Sequence, residues 1–300
     1  MNLRQLEYWL AVVDEGSFTR AARRMHVAQP SLSYQIRALE NELGGPLIER
    51  LPRSIRLTGA GKEFLPDARA AVLSAERAAR MARAAMSLET GELEIATVRS
   101  LAVGVLPPAI RHWHESHQTV RIRLREYVHR DLLEEQVRSG VGDIAIGPRP
   151  HDWRGPISGI GFEEFVVVLS PSDPLAGESD RLSLEKLAQR DWVLFPPHHG
   201  LSRLVATACG RAGFQPRESV RTEQVEAAAC LAASGLGPAL VPDDMVPTDI
   251  NAPVFRLDPP IARELTAYTR VEWSPAARSF LEIVHGLDLA RRPPQAFLVP

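Results

Sequence analysis

Between residues 29 and 37 the chain brings together Gln29, Pro30, Ser31, Ser33, Tyr34 and Arg37. Glutamine, serine, tyrosine and arginine side chains have the reach and the donor and acceptor pattern to read base edges in a DNA major groove. Further on, Leu51-Pro52-Arg53-Ser54 and Arg56 form a basic cluster whose Arg53 and Arg56 suit phosphate or minor-groove contact. Two other sets invite different chemistry. His112, His114 and His117 suggest a metal, but only His114 and His117 share a helical face and no carboxylate pair completes a site. Cys209 and Cys230 read as two small buried apolar residues rather than a redox pair, since nothing basic stands beside either thiol. No nucleophile elbow, phosphate loop or GxGxxG is present, which disfavours an enzyme. No cofactor and no metal are expected.

The elements that would hold the first cluster are legible from periodicity. Leu3, Leu6, Trp9, Leu10 and Val13 make one apolar helical stripe, closed by Glu15-Gly16. Ser17 can cap a short second helix with Phe18, Ala21, Ala22 and Met25 on its buried side. A third helix starts at Gln29-Pro30, buries Leu32, Ile36, Leu39 and Leu43, and stops at Gly44-Gly45. Its opposite face would carry Pro30, Ser33, Tyr34 and Arg37, with Gln29 at the edge. Such a pair of helices is a helix-turn-helix or an ordinary helical hairpin, and periodicity alone leaves both open. The flanking runs Leu47–Arg50 and Ile55–Leu57 predict a β-hairpin with a Pro-Arg tip, a wing, which favours the first. Thr58 then caps a long helix to about Leu88. Its heptad seam is Leu65, Val72, Ala79 and Met86, with Ala68, Ala75 and Ala82 between, and that seam suggests a dimer contact.

Composition fits a soluble globular chain: 300 residues, 45% apolar and 24% charged, long enough for two or three domains. Only Lys62 and Lys186 among the 35 basic residues are lysines. The net charge of −2 excludes a chain that is basic throughout. It conceals a +3 head in residues 1–90, with 13 basic against 10 acidic residues, and a −5 remainder. The N-terminus, with Arg4 and Glu7, lacks a secretory pattern. The longest uncharged stretch, Ala227 to Pro242, is broken by Gly235, Gly237 and Pro238, so no membrane span and a cytoplasmic location are expected.

The head resembles the LysR-type transcriptional regulators. The resemblance rests on Leu3-Arg4-Gln5-Leu6-Glu7, Gly16-Ser17-Phe18, Ala21-Ala22, Val27-Ala28-Gln29-Pro30-Ser31-Leu32-Ser33, Ile36, Leu39-Glu40, Leu43-Gly44, Leu47-Ile48-Glu49-Arg50, and Leu57-Thr58 with Gly61. Ala28 departs from a frequent Ser, and Tyr34 from a frequent Arg or Lys. The resemblance implies an α+β chain with three parts. A winged helix-turn-helix spans 1–58 and a dimerising linker helix 59–90. A two-lobed α/β effector-binding domain similar to periplasmic solute-binding proteins spans 91–300. It also implies a homotetramer on a promoter inverted repeat, a small and anionic effector, and it admits RNA polymerase as a further partner.

Alternation predicts the body's strands. Residues 91–98, 120–124 and 143–147, with helices at 101–116 and 131–139, make one βαβαβ set. A second set comprises strands at 165–169, 192–195, 218–221 and 238–241 with helices at 201–213 and 225–234. Another strand at 265–270 and a helix at 275–284 close the chain. In the family the chain crosses between lobes twice, here near Glu163–Phe165 and Thr266–Tyr268. Lobe one is then 91–162 plus 268–300 and lobe two 163–267, with a loose tail from Arg291. Ligands of open α/β sheets bind at the carboxyl ends of strands. That points to Ser100, His129, Gly147, Arg149, Phe195 and Ser202. The resemblance adds that Ser100 matches a family position whose hydroxyl commonly holds an effector carboxylate, and that His129 replaces a frequent Ser or Thr. Two other classes stay open: an enzyme built on the body, and an architectural DNA-binding protein without a ligand.

Overall fold

The computed structural model describes residues 1–51, 54–86, 91–177, 180–287 and 289–299. The chain divides into two compact units, a head comprising Met1–Gly91 with Arg138–Val141, and a body comprising Glu92–Val137 and Gly142–Pro300.

In the head, α1 (Leu3–Glu15) is closed at its start by a capping box between Asn2 and Gln5 and at its end by Gly16 at φ 59°, a backbone that only glycine adopts without strain. The Ser17 hydroxyl accepts the amide of Arg20 at the start of α2 (Phe18–Arg24). Helix α3 (Gln29–Glu42) follows, with Pro30 in its first turn and no side-chain cap at Ala28. Strands β1 (Ile48–Arg50) and β2 (Ile55–Leu57) pair antiparallel, Glu49 opposite Arg56. Trp9, Val12, Ala21, Leu32, Ile36 and Leu39, all wholly or almost wholly buried, centre the core. Leu43, expected inside, is 43% exposed because the helix ends there and its stripe has run past the core.

Helix α4 (Gly59–Met86) is capped by the Thr58 hydroxyl, which accepts the Gly61 amide at 3.0 Å. Its seam does not behave as one surface. Ala68 and Val72 are buried in the head's own core, Leu65 packs against that core, and Phe64 meets Trp9 edge-on at 5.2 Å. Asp14 of α1 pairs with Arg69. The expectation of a dimer contact along the whole seam is therefore corrected for its first half, where Leu65 and Val72 pack on the head's own core. The same stripe emerges exposed at Ala79 and Ala82. The Met86 side chain lies outside the described residues.

The body opens with β3 (Glu92–Val98), α5 (Arg99–Gly104), α6 (Leu106–Ser116), β4 (Arg121–Tyr127), α7 (Arg130–Arg138) and β5 (Ile144–Pro148). The single helix expected over 101–116 breaks at Val105, because Pro107 and Pro108 donate no amide and restart the helix. Then come β6 (Ile157–Val168), β7 (Arg181–Leu182), β8 (Asp191–Leu194), α8 (Gly200–Arg211), β9 (Arg217–Arg221), α9 (Val225–Ala233) and β10 (Ala239–Pro242). The chain closes with β11 (Val254–Tyr268), α10 (Pro275–His285) and β12 (Phe297–Leu298). The main sheet runs β10-β6-β11-β5-β3-β4, and β8 and β9 form a separate parallel pair.

Strands β6 and β11 pair antiparallel from Val168–Val254 to Ile157–Tyr268 and belong to both lobes. Leu265–Tyr268 pair with β5 on the side of lobe one, and Phe165–Val168 pair with β10 on the side of lobe two. The second crossing therefore lies at Ala262–Glu264, earlier in the chain than expected. One apolar core surrounds Phe165, Trp192 and Leu240. A second surrounds Ile95, Trp113 and Phe280. The tail is not loose. Phe297–Leu298 pair with Ile261–Ala262, Val299 is buried and donates its amide to Ala262, and the Arg211 guanidinium lies 4.1 Å from the Phe297 ring centre.

Candidate functional site

Of the DNA-contact candidates on α3, all but one are exposed. Gln29, Pro30, Ser31, Tyr34 and Arg37 are exposed, Tyr34 at 69%. Ser33 is 5% exposed, and its hydroxyl accepts from Arg50 Nη1 at 3.1 Å. Ser33 lies about 90° from the centre of the apolar stripe, on the flank that the wing covers. It therefore joins α3 to the wing instead of facing outward. Arg50 also lies 4.5 Å from the Phe18 ring centre, so one guanidinium ties together α2, α3 and the wing. In the wing, Arg56 is exposed with Glu49 at 3.6 Å, a surface pair worth about 0–1 kcal/mol. Arg53 lies outside the described residues.

The body holds a cleft of about 220 Å³ where its two lobes face each other. It is room for roughly seven water molecules at liquid density, so for a small metabolite. His129 and Arg130 border it at the start of α7, and Pro197, His198, His199, Gly200 and Leu201 at the start of α8. Arg203, Leu204, Val98, Asp131 and Arg263 complete the lining. The two histidines have matching roles. His129 Nδ1 accepts the Leu132 amide at 3.1 Å, and His199 Nδ1 accepts the Leu201 amide at 3.2 Å. Each ring thereby caps a helix and is left with Nε2–H as a donor. Gly200 packs closely against His129, where an added β-carbon would sit 3.3 Å away and require a small shift.

Burial holds the His199 ring neutral, pushing its pKa down to about 4, with His198 and Arg99 adding to the effect. Phe195, 1% exposed, stacks beneath that ring at 4.7 Å; it supports the cleft wall and does not line it. A folded-state pKa below the ordinary 6.5 means that the unfolded chain takes up a proton first as pH falls. Stability is therefore full above pH 6.5 and declines towards pH 4. At pH 5 the loss is about 2 kcal/mol. His199→Asn keeps a capping oxygen and should remove most of that decline, read as the difference in Tm between pH 7.5 and pH 5. An unchanged pH dependence would assign the decline to other groups.

The other expected ligand residues, Ser100, Gly147, Arg149 and Ser202, do not line this cleft. Ser100 is half-buried in the first turn of α5, and Ser202 half-buried in the first turn of α8. Gly147 is buried on β5 with Leu133 close to its α-carbon, a packing position. Arg149 is exposed, pairs with Glu264 at 3.0 Å, and lines a neighbouring cavity of about 430 Å³ together with Arg130 and Arg263. Arg263 is the residue that sequence reasoning missed. It lies inside a strand that the charged run Arg263-Glu264 conceals from any hydrophobic pattern.

The remaining candidates resolve simply. Among the described residues no group of three or more His, Cys, Asp or Glu could hold a metal ion, and His117 stacks on Trp113 at 3.8 Å. Cys209 is buried and its thiol is pushed up to about 12 by burial, whereas Cys230 is exposed on α9, which corrects the expectation that both are buried. A thiol reagent should therefore titrate one cysteine per native chain and two after denaturation. Two reactive thiols in the native protein would contradict the packing of α8. No described helix is long and apolar enough to cross a membrane.

Comparison with known proteins places this geometry. Residues 3–62 match the family model described as bacterial regulatory helix-turn-helix protein, lysR family, and residues 87–287 match the LysR substrate binding domain. The Hca operon transcriptional activator HcaR of Escherichia coli (strain K12) is 35% identical over 297 residues, covering 95% of this chain and 97% of that protein. The regulator BudR of Raoultella terrigena is 31% identical over 293 residues, covering 94% of this chain and all of its own. The crystal structure of CbnR, a LysR family transcriptional regulator, aligns at a TM-score of 0.68 with 27% identity, over 95% of this chain and 99% of that one. Full-length CbnR complexed with its target DNA aligns at 0.69 with the same identity and coverage.

Proposed function

The chain belongs to the LysR family of bacterial transcriptional regulators, and from that premise we propose how its parts divide the work. As a family member it is a DNA-binding regulator with an effector-binding domain, and not an enzyme. The exposed row of α3, Gln29, Pro30, Ser31, Tyr34 and Arg37, reads base edges, and Arg56 in the wing holds phosphate. Exposed Ala79 and Ala82 on the second half of α4 join two subunits, so that two heads address an inverted repeat, with a tetramer as the further assembly. The regulator works in the cytoplasm, where its DNA is.

The effector is a small anion held between the lobes. One observation carries this reading: two histidines, one from each lobe and each left with an Nε2–H donor by its Nδ1 cap, line the cleft beside Arg130 and Arg263, at the N-termini of α7 and α8. A ligand gripped from both sides favours the closed arrangement by its difference in affinity between the two arrangements. Differential scanning fluorimetry tests the charge directly. Benzoate should raise Tm and methyl benzoate, its uncharged ester, should not. Equal shifts from acid and ester would reject an anionic ligand.

A further inference from the structure

Glu163 and Arg263 are register partners where β6 and β11 pass from one lobe to the other. Their carboxylate and guanidinium form an ion pair with side chains only 2% and 7% exposed. The guanidinium also lies 5.6 Å from the Phe165 ring centre. The pair is incompletely satisfied: Arg263 Nε and Glu163 Oε1 are both buried without a hydrogen-bond partner among the described residues. An orphaned donor on a buried guanidinium is costly, and chains keep such a group where something else completes it. Arg263 lines the cleft between the two histidine-capped helices. It also lines the neighbouring cavity with Arg130 and Arg149.

We infer that Arg263 is the effector's principal anion-binding residue, holding a carboxylate from within the hinge while sharing its guanidinium with Glu163. This rests on the reading of the cleft as the effector site. A guanidinium offers five donors in a planar fork, enough for a bidentate carboxylate and a second acceptor. Arg263 belongs to the crossing strand itself, so a ligand that draws on its guanidinium pulls on the element that sets the angle between the lobes. Cleft occupancy and lobe arrangement are then coupled through one side chain, with no relay of intermediate residues. Glu163 competes with the ligand for that guanidinium and limits affinity.

The test uses the full chain and three proteins: wild type, Glu163→Gln, and Glu163→Gln with Arg263→Gln. The double substitution removes both buried charges together, so the fold is retained where Arg263→Gln alone would strand Glu163. The probes are benzoate and succinate, read by calorimetric Kd and by Tm. Wild type should bind at least one of them. Glu163→Gln should bind that probe several-fold more tightly, because the guanidinium is released from its competitor. The double variant, with an unliganded Tm within a few degrees of wild type, should bind it at least about 30-fold more weakly. Wild-type affinity in the double variant, or weakened binding in Glu163→Gln alone, overturns the role of Arg263 and leaves the cleft reading standing. No binding of either carboxylate to wild type overturns both.

Discussion

Replacing Tyr34 and Arg37 together by alanine is expected to lower affinity for the specific DNA site by about 100-fold or more while leaving the head folded. Each base contact contributes about 1–3 kcal/mol of discrimination, and a dimer loses both copies. Both side chains are exposed, so their truncation should cost the fold little. Mobility shift on a specific fragment and on a scrambled one separates the effects. The double alanine should bind both fragments about equally, at the level of non-specific DNA. Arg56→Ala should weaken binding to both and reduce the salt dependence, as expected for a phosphate contact. Ser33→Ala behaves differently from either. It frees Arg50 from its hydroxyl acceptor, so it should loosen the wing and alter affinity without changing base preference. Undiminished specificity after removing Tyr34 and Arg37 would take base reading away from this face of α3.

Glutamate at Ala79 and Ala82 is expected to split the protein into monomers and to weaken DNA binding by about 100-fold or more. The head carries a net charge of only +3. One such head on one duplex gains little from phosphate contacts, and two heads on one duplex gain through effective concentration, a factor of about 10²–10⁴. Both alanines are exposed on α4 and glutamate is a good helix former, so the substitution adds charge to the stripe without breaking the helix. Sedimentation velocity and mobility shift should change together. A variant that sediments as wild type would place the subunit contact elsewhere. Val72→Glu could not serve as this test, because Val72 belongs to the core of its own head and a charge there would unfold it.

Elements with a simple apolar period are legible in the sequence. The stripes of α1 and α3, the Ser17 cap, the wing strands and the parallel strands of the first lobe all follow from apolar spacing and capping chemistry. Failures cluster where burial and apolarity part company. Ser33 is polar yet buried, because its hydroxyl answers Arg50 across a distance in sequence that no local window spans. Strands β6 and β11 carry Glu163, Glu164, Arg263 and Glu264 in mid-strand, so only their apolar ends have a strand pattern, and the second crossing lies earlier in the chain than that pattern implies. The tail looked loose because its prolines hide Phe297–Val299, which finish the sheet edge of β11. In the cleft, His129 was legible as a residue after a strand. The loop that carries His199 was legible in the same way, but its capping role was not, because that depends on the turn that precedes α8. Arg263 was not legible, because a charge inside a strand reads as a surface residue until its partner across the ladder is known.

The most direct test of the account is a footprint. Genomic fragments selected by the purified protein should share an inverted repeat, and one such fragment is then digested with DNase I in the presence of the protein, with and without a carboxylate that raises its Tm. The protected span or the spacing of hypersensitive bands should change with the carboxylate in wild type and stay fixed in the Glu163→Gln, Arg263→Gln variant. Identical footprints with and without a ligand that demonstrably stabilises the wild-type protein would contradict the claim that the cleft controls how the heads sit on DNA.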